Sequence, residues 1–348
     1  MEFWNIKKNH MLVSRAATGI YVILAANGLK GCNVLVPANI CYAAIYPIIY
    51  SGNIPVFCDV DANTGNVSFS TFQHFGGKIS AAIIPHMYGN PVLEISEIAK
   101  YCCKNRILLI EDCASAMGAY SNGIMCGTYG DYAIYSTGYS KTIDVGGGGI
   151  VFSDNSLENL ENLYEKLPPR TVTEQMNEEF FSKLYRLIRN SSGQSLAETI
   201  WKAIQRPVQN VFIHHTREYD AQIVSQIERL EEVIALRRRK QELYMQNVRE
   251  NDDCHIYRYL EGAVPWRFSM MVNPKMHRDI IDFLLQNNVP VSDWYPVSTS
   301  IFGDRGVYIG AEKMESMILN FPLLLENEKI IYVCEQINNY FEKQSEIL

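Results

Sequence analysis

One lysine and one pair of acids follow apolar runs of the sequence, and their side chains could do chemistry. Lys141 comes shortly after the apolar run 132–136 and just before four consecutive glycines, 146–149. Glu111 and Asp112 come directly at the end of the apolar run ILLI. A lysine in a partly desolvated pocket can lose its proton at neutral pH and attack a carbonyl carbon. We therefore predict that Lys141 is a nucleophile rather than a solvated surface charge.

Asp112 needs a partner if it is buried, because an unpaired carboxylate in a protein interior is unstable. A structural cap or a salt bridge would satisfy it. The protonated ring nitrogen of pyridoxal phosphate (PLP) would also satisfy it, and that pairing keeps the ring electron-poor. Ser136 and a helix start at Ser14-Arg15-Ala16 could bind phosphate, since the first N–H groups of a helix attract anions. Lys141, Asp112 and this phosphate site together favour PLP as the cofactor.

Strand-like apolar runs and helical patterns alternate through the first half of the chain. The predicted strands are 34–37, 54–60, 78–85, 107–110 and 132–136, and the predicted helices include 38–50, 92–104 and one capped by Ser14. This alternation predicts an α/β domain with a largely parallel sheet. Polar residues follow the strand ends, namely Asn39, Asp59, His86, Asp112 and Ser136. Ligands of open α/β sheets bind at that edge, so we expect the site there.

The second half of the chain is more helical and predicts a different organisation. Residues 156–207 are charged, have helical spacing and predict an excursion outside the sheet. The apolar stripe of 220–244 predicts one long helix that links two domains. After it, a strand at 264–272, a helix at 278–286, a strand at 289–294 and a helix from Asn327 predict a small α+β domain. We place the domain boundary between residues 220 and 221.

Composition and charge exclude several classes of protein. The 348 residues are 47% apolar and 20% charged, as in ordinary globular proteins, and the net charge of -7 argues against nucleic acid or anionic membranes as partners. The nine cysteines form no CxxC pair and predict buried free thiols rather than disulfides or a metal site. Neither a signal peptide nor an apolar run of about 20 residues is present, which predicts a cytoplasmic protein. The basic run 237–240 predicts a solvated helix face or an interface.

Several stretches resemble the DegT-like sugar aminotransferases, which are PLP enzymes with the aspartate aminotransferase fold. The matching stretches are VPANICYAAIYPIIYSGNIPVFCDVD, PHMYGNP, IEDCASAMGA and GDYAIYSTGYSK. The long helix with Arg237-Arg238, WYPVS and ILNFP fit the C-terminal part of the family. The resemblance implies a large domain around a mainly parallel, seven-stranded sheet and a small C-terminal α+β domain. It also implies a cytoplasmic homodimer whose subunits share their active sites.

The resemblance assigns roles to individual residues. It implies Asp112 at the pyridine nitrogen and Ser136 at the phosphate, with Arg15 and Ala16 at the helix start beside it. It implies that Lys141 holds PLP covalently and later moves the proton of the amino donor. Two positions differ from the family pattern. Ser115 stands where a glutamine or histidine is usual, near the phenolic oxygen of PLP. Cys41 stands where an aromatic residue usually stacks on the PLP ring, and Tyr42 is the next residue.

Two longer segments also differ from the family pattern. Thr216-Arg217-Glu218-Tyr219 stands where we expect an Asn-Tyr-Arg-like motif that reaches the phosphate of the neighbouring subunit. Residues 156–207 are longer than the corresponding family segment. The comparison with the family pattern therefore implies that the set of cofactor-binding residues is intact. It also implies that the surfaces that contact the substrate and the neighbouring subunit differ from those of the family.

The function implied by the resemblance is transfer of an amino group from glutamate to a nucleotide-linked keto-sugar. Such reactions serve surface polysaccharide or secondary-metabolite synthesis. One alternative is a PLP-dependent dehydratase acting on the same sugars, which Lys141 opposes because the family's dehydratases have histidine there. A second alternative is a non-catalytic or regulatory paralogue, which the departures at Ser115, Cys41 and 216–219 motivate.

Overall fold

A seven-stranded sheet forms the centre of the larger part of the molecule. The computed structural model describes residues 3–173, 176, 180–181, 199, 202 and 208–347. In chain order, the strands of this part are β1 (Asn9–Val13), β2 (Asn33–Pro37), β3 (Ile54–Cys58), β4 (Ala81–Pro85), β5 (Leu108–Asp112), β6 (Tyr120–Ser121), β7 (Ile124–Met125), β8 (Tyr132–Ser136) and β9 (Gly149–Ser153). The large sheet has the order β1-β9-β8-β5-β4-β2-β3, while β6 and β7 form a separate hairpin.

The large sheet is mainly parallel, as predicted. The strands β3, β2, β4, β5 and β8 pair in parallel, whereas β9 pairs antiparallel with β8 and β1 antiparallel with β9. The central strands are apolar because both of their faces are covered, as expected for parallel sheets. Parallel pairing places the carboxyl ends of β2, β4, β5 and β8 at one edge. That edge carries Asp112 and Ser136.

Helices flank this sheet, with bounds close to those predicted. They are α1 (Ala16–Ala26), α2 (Tyr42–Tyr50), α3 (Phe69–Gln73), α4 (Ile95–Asn105), α5 (Glu158–Tyr164) and α6 (Gln209–Phe212). Helix α5 is the described start of the predicted excursion 156–207, most of which lies outside the described residues. The predicted cap is wrong: Arg15 holds the N-cap position of α1 and makes no side-chain capping bond. The hydroxyl of Ser14 instead bonds Thr18 Oγ1 at 2.9 Å and the His214 carbonyl at 2.5 Å.

The predicted single helix 220–244 is two helices, α7 (Asp220–Ile227) and α8 (Leu230–Asn247). Between them the N–H of Arg229 bonds the carbonyl of Gln226 at 3.1 Å, a tighter turn than an α-helix makes. The apolar stripe continues across this break, since Ile227 and Leu230 are both buried.

The basic run 237–240 on α8 is not a uniformly solvated face. Arg237 is buried and donates hydrogen bonds to the carbonyls of Pro265 and Trp266. Lys240 donates to the carbonyl of Leu325 at 2.6 Å. These two side chains therefore tie α8 to the C-terminal segments, which corrects the predicted solvated face.

A second, smaller sheet follows α8 and has its own apolar core. Its strands β10 (Cys254–Ile256), β11 (Phe268–Val272) and β12 (Ile318–Phe321) pair antiparallel in that order, and they are accompanied by α9 (His277–Gln286), α10 (Ile309–Glu315) and α11 (Asn327–Ile347). The predicted strand at 289–294 is wrong, because only Ser292 bridges to Asn320 there. In the part of the chain that is described, no helix combines the length and apolarity needed to cross a bilayer.

Candidate active site

A cavity of about 360 Å³ lies at the carboxyl edge of the large sheet. Five of the seven predicted site residues line it, namely Arg15, Ala16, Tyr42, Ser136 and Lys141. The other two, Asp112 and Ser115, are buried beside Lys141. The fold thus brings residues from four separate segments of the sequence to one place.

Lys141 reaches the cavity from the loop that follows β8. Its Nζ donates to the hydroxyl of Ser115 at 3.1 Å and lies 5.9 Å from the centre of the Trp266 ring. Burial alone would lower the pKa of Lys141, but the interactions with Tyr295, Cys41 and Asp112 outweigh burial and raise it. The expectation of a lowered pKa at Lys141 is therefore reversed.

Asp112 is the last residue of β5 and is buried. One of its carboxylate oxygens accepts a hydrogen bond from the N–H of Ala114 at 2.9 Å. The other oxygen has no hydrogen-bond donor among the described residues. Burial raises the pKa of Asp112, while the N–H of Ala114 and the charge of Lys141 lower it less strongly. The site therefore holds a desolvated acid with one oxygen open to a cationic ligand.

Glu111 precedes Asp112 but serves the structure rather than the cavity. Its two oxygens accept hydrogen bonds from the N–H groups of Gly127, Tyr129 and Gly130, and from Nε2 of His86 at 3.0 Å. Nδ1 of His86 accepts the N–H of Val92 at 2.9 Å, so the ring is neutral with its proton on Nε2. Cys113 lies close to this pair, but the histidine nitrogens and the carboxylate already have protein partners.

The opposite end of the cavity is built for an anion. Ser136 ends β8, opposite Gly149 of β9, and a Cβ at position 149 would lie only 2.7 Å from the nitrogen of Ala16. Glycine there lets the first turn of α1 approach Ser136, so the start of a helix and a hydroxyl meet. The side chain of Arg15 donates to the carbonyl of Val211 at 3.1 Å.

Tyr42 and Cys41 both line the cavity at the start of α2. Tyr42 packs against other aromatic rings, including Tyr46 at 5.5 Å and Trp294 at 5.8 Å between ring centres. Burial raises the pKa of the Cys41 thiol, which interacts with the charges of Lys141 and Asp112. Cys41 therefore lies within electrostatic range of Lys141 and Asp112.

The other polar residues predicted at this edge have structural partners. The Asn39 amide donates to the carbonyl of Gly65 at 2.9 Å, and Asp59 accepts the N–H groups of Gly310 and Ala311. His86 belongs to the Glu111 network. Of the five residues predicted there, Asp112 and Ser136 alone have side chains that serve the cavity.

Four aromatic and basic residues of the C-terminal half complete the cavity, and residue-level analysis of the sequence missed their part in it. They are Trp266, Arg267, Trp294 and Tyr295. The hydroxyl of Tyr295 lies 3.2 Å from that of Ser115, and the rings of Trp266 and Tyr295 stack with centres 5.2 Å apart. The WYPVS stretch was a signal for two of them, whereas nothing in VPWRF marks the other two as cavity residues.

The comparisons with known proteins agree with this geometry. The sequence model of the DegT/DnrJ/EryC1/StrS aminotransferase family matches residues 2–338 of this chain. The chain belongs to this family. It is therefore an aminotransferase that depends on PLP, and the family match favours an enzyme over a non-catalytic paralogue.

One relative and one solved structure each cover nearly the whole chain, and a second relative covers about a third of it. A GDP-perosamine synthase of Escherichia coli O157:H7 is 26% identical over 96% of this chain and 87% of that protein. A dTDP-4-dehydro-2,3,6-trideoxy-D-glucose 4-aminotransferase of Saccharopolyspora spinosa is 34% identical, over 35% of this chain and 32% of that protein. The structure of an E. coli GDP-4-keto-6-deoxy-D-mannose-3-dehydratase with bound hydrated PLP has the same fold, with a TM-score of 0.70 and 18% identity over 96% of this chain and 89% of that one.

The residues present fit PLP on chemical grounds. The open oxygen of Asp112 suits a protonated ring nitrogen, and the glycine-permitted approach of α1 to Ser136 suits a phosphate. Lys141 lies in the same cavity and suits covalent attachment. The site therefore offers a group for the ring nitrogen, a group for the phosphate and a group for covalent attachment.

Proposed function

We propose that this DegT-family enzyme transfers an amino group from glutamate to a nucleotide-linked keto-sugar, in surface polysaccharide or secondary-metabolite synthesis. The observation that carries the proposal is that Lys141 lines a cavity beside the buried Asp112, and that Ser136 and the start of α1 line the same cavity. The relatives named for GDP-linked and dTDP-linked sugars support an acceptor of this class. The shared part of such acceptors is the diphosphate-linked sugar.

The predicted cofactor residues take distinct roles in this proposal. Asp112 would pair with the ring nitrogen of PLP, and Ser136 with the start of α1 at Arg15 and Ala16 would hold the phosphate. Cys41 and Tyr42 would bound the ring at the start of α2. Bound in this way, the cofactor supplies an electron sink for the carbon that loses or gains the amino group.

Lys141 would move the protons of the reaction. Its Nζ accepts the proton from Cα of the donor and, in the second half-reaction, returns a proton to the carbon of the acceptor that receives the nitrogen. Ser115 lies 3.1 Å from Nζ and 3.2 Å from the hydroxyl of Tyr295, so these hydroxyls orient the amine between the two steps. The aromatic rings of Trp266 and Tyr295 exclude water from the same place.

We also propose a cytoplasmic homodimer that shares its active sites. Tyr139 supports this, because a large aromatic side chain two residues before Lys141 is 84% exposed and suits an interface. Arg217 of the segment 216–219 does not act across subunits in the proposal, since it pairs with Glu165 at 2.5 Å and Asp220 at 3.3 Å within the chain.

The separate cores of the two sheets support the division that the sequence predicts. We propose a large cofactor-binding domain at 1–220, with an excursion at about 156–207, and a linking and C-terminal part at 221–348. The cavity then lies where the two parts meet, because Trp266, Arg267, Trp294 and Tyr295 come from the second part.

The proposed function is tested by separating the two half-reactions. Protein saturated with PLP should be yellow, and L-glutamate alone should convert the spectrum to that of the pyridoxamine form, with release of 2-oxoglutarate. Nucleotide-linked keto-sugars should then restore the original spectrum, and mass spectrometry should detect an aminated product. A deoxygenated sugar without added nitrogen would instead support a dehydratase. A spectrum that no L-amino acid changes would contradict the aminotransferase.

A further inference from the structure

Arg267 is a cavity residue whose charged group has no anionic partner in the part of the chain that the structure describes. It follows the buried Trp266 and precedes β11, and it lines the same cavity as Lys141. Its Nε is buried without a hydrogen-bond partner, and no carboxylate among the described residues contacts the guanidinium. Its recorded ring contact is with Trp266, 4.7 Å from the ring centre. A desolvated guanidinium of this kind is a binding site for an anion.

The segment around Arg267 is held in place by hydrogen bonds from three other side chains. Arg237 of α8 donates to the carbonyls of Pro265 and Trp266, and Tyr259 donates to the carbonyl of Arg267 itself at 2.6 Å. The indole N–H of Trp266 donates to the carbonyl of Ser140, next to Lys141. The segment that carries Arg267 is therefore fixed to the loop that carries the reactive lysine.

The other two cations of the cavity are already engaged. Lys141 donates to Ser115, and Arg15 donates to the carbonyl of Val211 and lies against the ring of Phe212. Arg15 also belongs to the phosphate end. Arg267 is thus the cation that remains for a substrate among the residues described around this cavity.

We propose that Arg267 binds the α-carboxylate of the amino donor. Lys141 Nζ and the Arg267 guanidinium lie against the same Trp266 ring, at 5.9 and 4.7 Å from its centre. Both residues also line the same cavity, and the α-carboxylate of an amino acid is only one carbon away from the reacting amine. The diphosphate of a nucleotide-linked sugar is farther from its reacting carbon, because the sugar ring lies between them. A planar guanidinium also binds a carboxylate through two parallel hydrogen bonds.

This inference rests on the proposed aminotransferase function, and the decisive experiment compares the donor half-reaction of the PLP-loaded wild type, Arg267→Gln and Arg267→Lys. The half-saturating concentration of L-glutamate should rise about 10- to 100-fold in Arg267→Gln, as expected for a lost charged hydrogen-bond pair. It should rise less in Arg267→Lys, which keeps the positive charge but cannot form the two parallel hydrogen bonds of a guanidinium. The limiting rate should change little. Arg278→Gln, an exposed arginine on α9, is the control and should match wild type.

Two further measurements separate the possible outcomes. Binding of α-methylglutamate, which has no Cα hydrogen to lose, should weaken in Arg267→Gln by the same factor, followed through the cofactor spectrum without turnover. Binding of GDP and dTDP, followed by calorimetry, should not change. Weaker diphosphate binding with unchanged glutamate saturation would overturn the inference. If wild type reacts with no L-amino acid, the proposed function fails; if it reacts and Arg267→Gln saturates as wild type does, the assignment of Arg267 alone fails.

Discussion

Glu111 and Asp112 are neighbours in one strand but have opposite surroundings. Successive side chains of a strand point to opposite faces of the sheet. On one side, Glu111 accepts four hydrogen bonds, from His86 and three backbone N–H groups. On the other, Asp112 accepts one hydrogen bond, from Ala114, and faces the charge of Lys141. Two neighbouring buried acids therefore have unequal numbers of partners.

The difference separates stability from function. A buried carboxylate with all its partners strengthens the fold, and losing one partner leaves the rest unpaired. A buried carboxylate with an open oxygen weakens the fold until a ligand supplies the missing partner. The same contrast holds for two lysines, Lys7 and Lys141. Lys7 donates to the carbonyl of Thr128 at 2.8 Å and pairs with Asp154 at 3.3 Å, whereas Lys141 lies at the cavity.

The lysine contrast gives the largest expected effect. Lys141→Ala should lower the rate of the glutamate half-reaction by about 10,000-fold or more, since the nucleophile and the proton carrier are lost together. Borohydride treatment followed by peptide mapping should find no cofactor bound at position 141. Lys7→Ala is the matched control, and it should lower stability while leaving the half-reaction within a few-fold of wild type. A normal half-reaction in Lys141→Ala would break the contrast.

The second-largest effect is expected for Asp112, the acid with an open oxygen. Asp112→Asn keeps the shape of the side chain but removes the charge that would face the ring nitrogen. The half-reaction rate should fall about 100- to 1,000-fold, the size expected for one lost electrostatic contact in an enclosed site. The free energy of unfolding of the cofactor-free protein should not decrease, as urea titration would show. An unfolded Asp112→Asn protein would place Asp112 with Glu111 as a structural acid.

Glu111→Gln should show the reverse pattern. One amide oxygen and one NH₂ group replace the two accepting oxygens, so the N–H groups that met the second oxygen lose their acceptor. The free energy of unfolding should fall by about 3 kcal/mol, within the range for leaving buried N–H groups without an acceptor. The half-reaction rate per folded molecule, measured at low temperature, should stay close to that of wild type. A rate loss as large as that of Asp112→Asn would show that the Glu111 network also sets the chemistry.

The sequence predicted the large sheet and the positions of Lys141 and Asp112 after two of its strands, because these features depend on local patterns. Apolar runs separated by helical spacing fix a parallel sheet, and the parallel sheet fixes which strand ends meet. The break between α7 and α8 could not be predicted, since Ile223, Ile227, Leu230 and Ile234 keep helical spacing across it. The spacing of apolar residues shows which helix face is buried, but it does not show whether one helix axis continues through the segment.

Long-range contacts account for what the sequence missed at the site. The basic run 237–240 looked solvated because the carbonyls that Arg237 meets, at Pro265 and Trp266, are distant in the chain. Arg267 looked like an ordinary charge in a strand for the same reason. Its neighbours at the cavity belong to other segments, and the lack of an anionic partner is a property of the folded protein alone.

The smallest effect is an opposite response of the two acids to pH in the cofactor-free protein. The pKa of Glu111 is lowered from 4.5, because His86 and the N–H groups of Gly127 and Gly130 outweigh burial. The unfolded chain then binds its proton more readily, so Glu111 contributes stability above pH 4.5 that is lost as pH falls through the folded pKa. The pKa of Asp112 is raised from 3.8 by burial, so the folded protein binds that proton more readily. Its contribution is most favourable below pH 3.8 and is lost as pH rises through the folded pKa.

Urea titrations of the cofactor-free protein between about pH 3.5 and pH 7 measure these two slopes. Against wild type, Glu111→Gln should lose the acid-side rise of stability with pH, so the destabilisation by that variant should shrink as the pH falls. Asp112→Asn should remove a term that disfavours folding at higher pH, so its stability relative to wild type should grow as the pH rises. The stability differences of the two variants from wild type should therefore change with pH in opposite directions. A change in the same direction would contradict the distinction between the two acids, because that distinction requires one folded pKa to be lowered and the other to be raised.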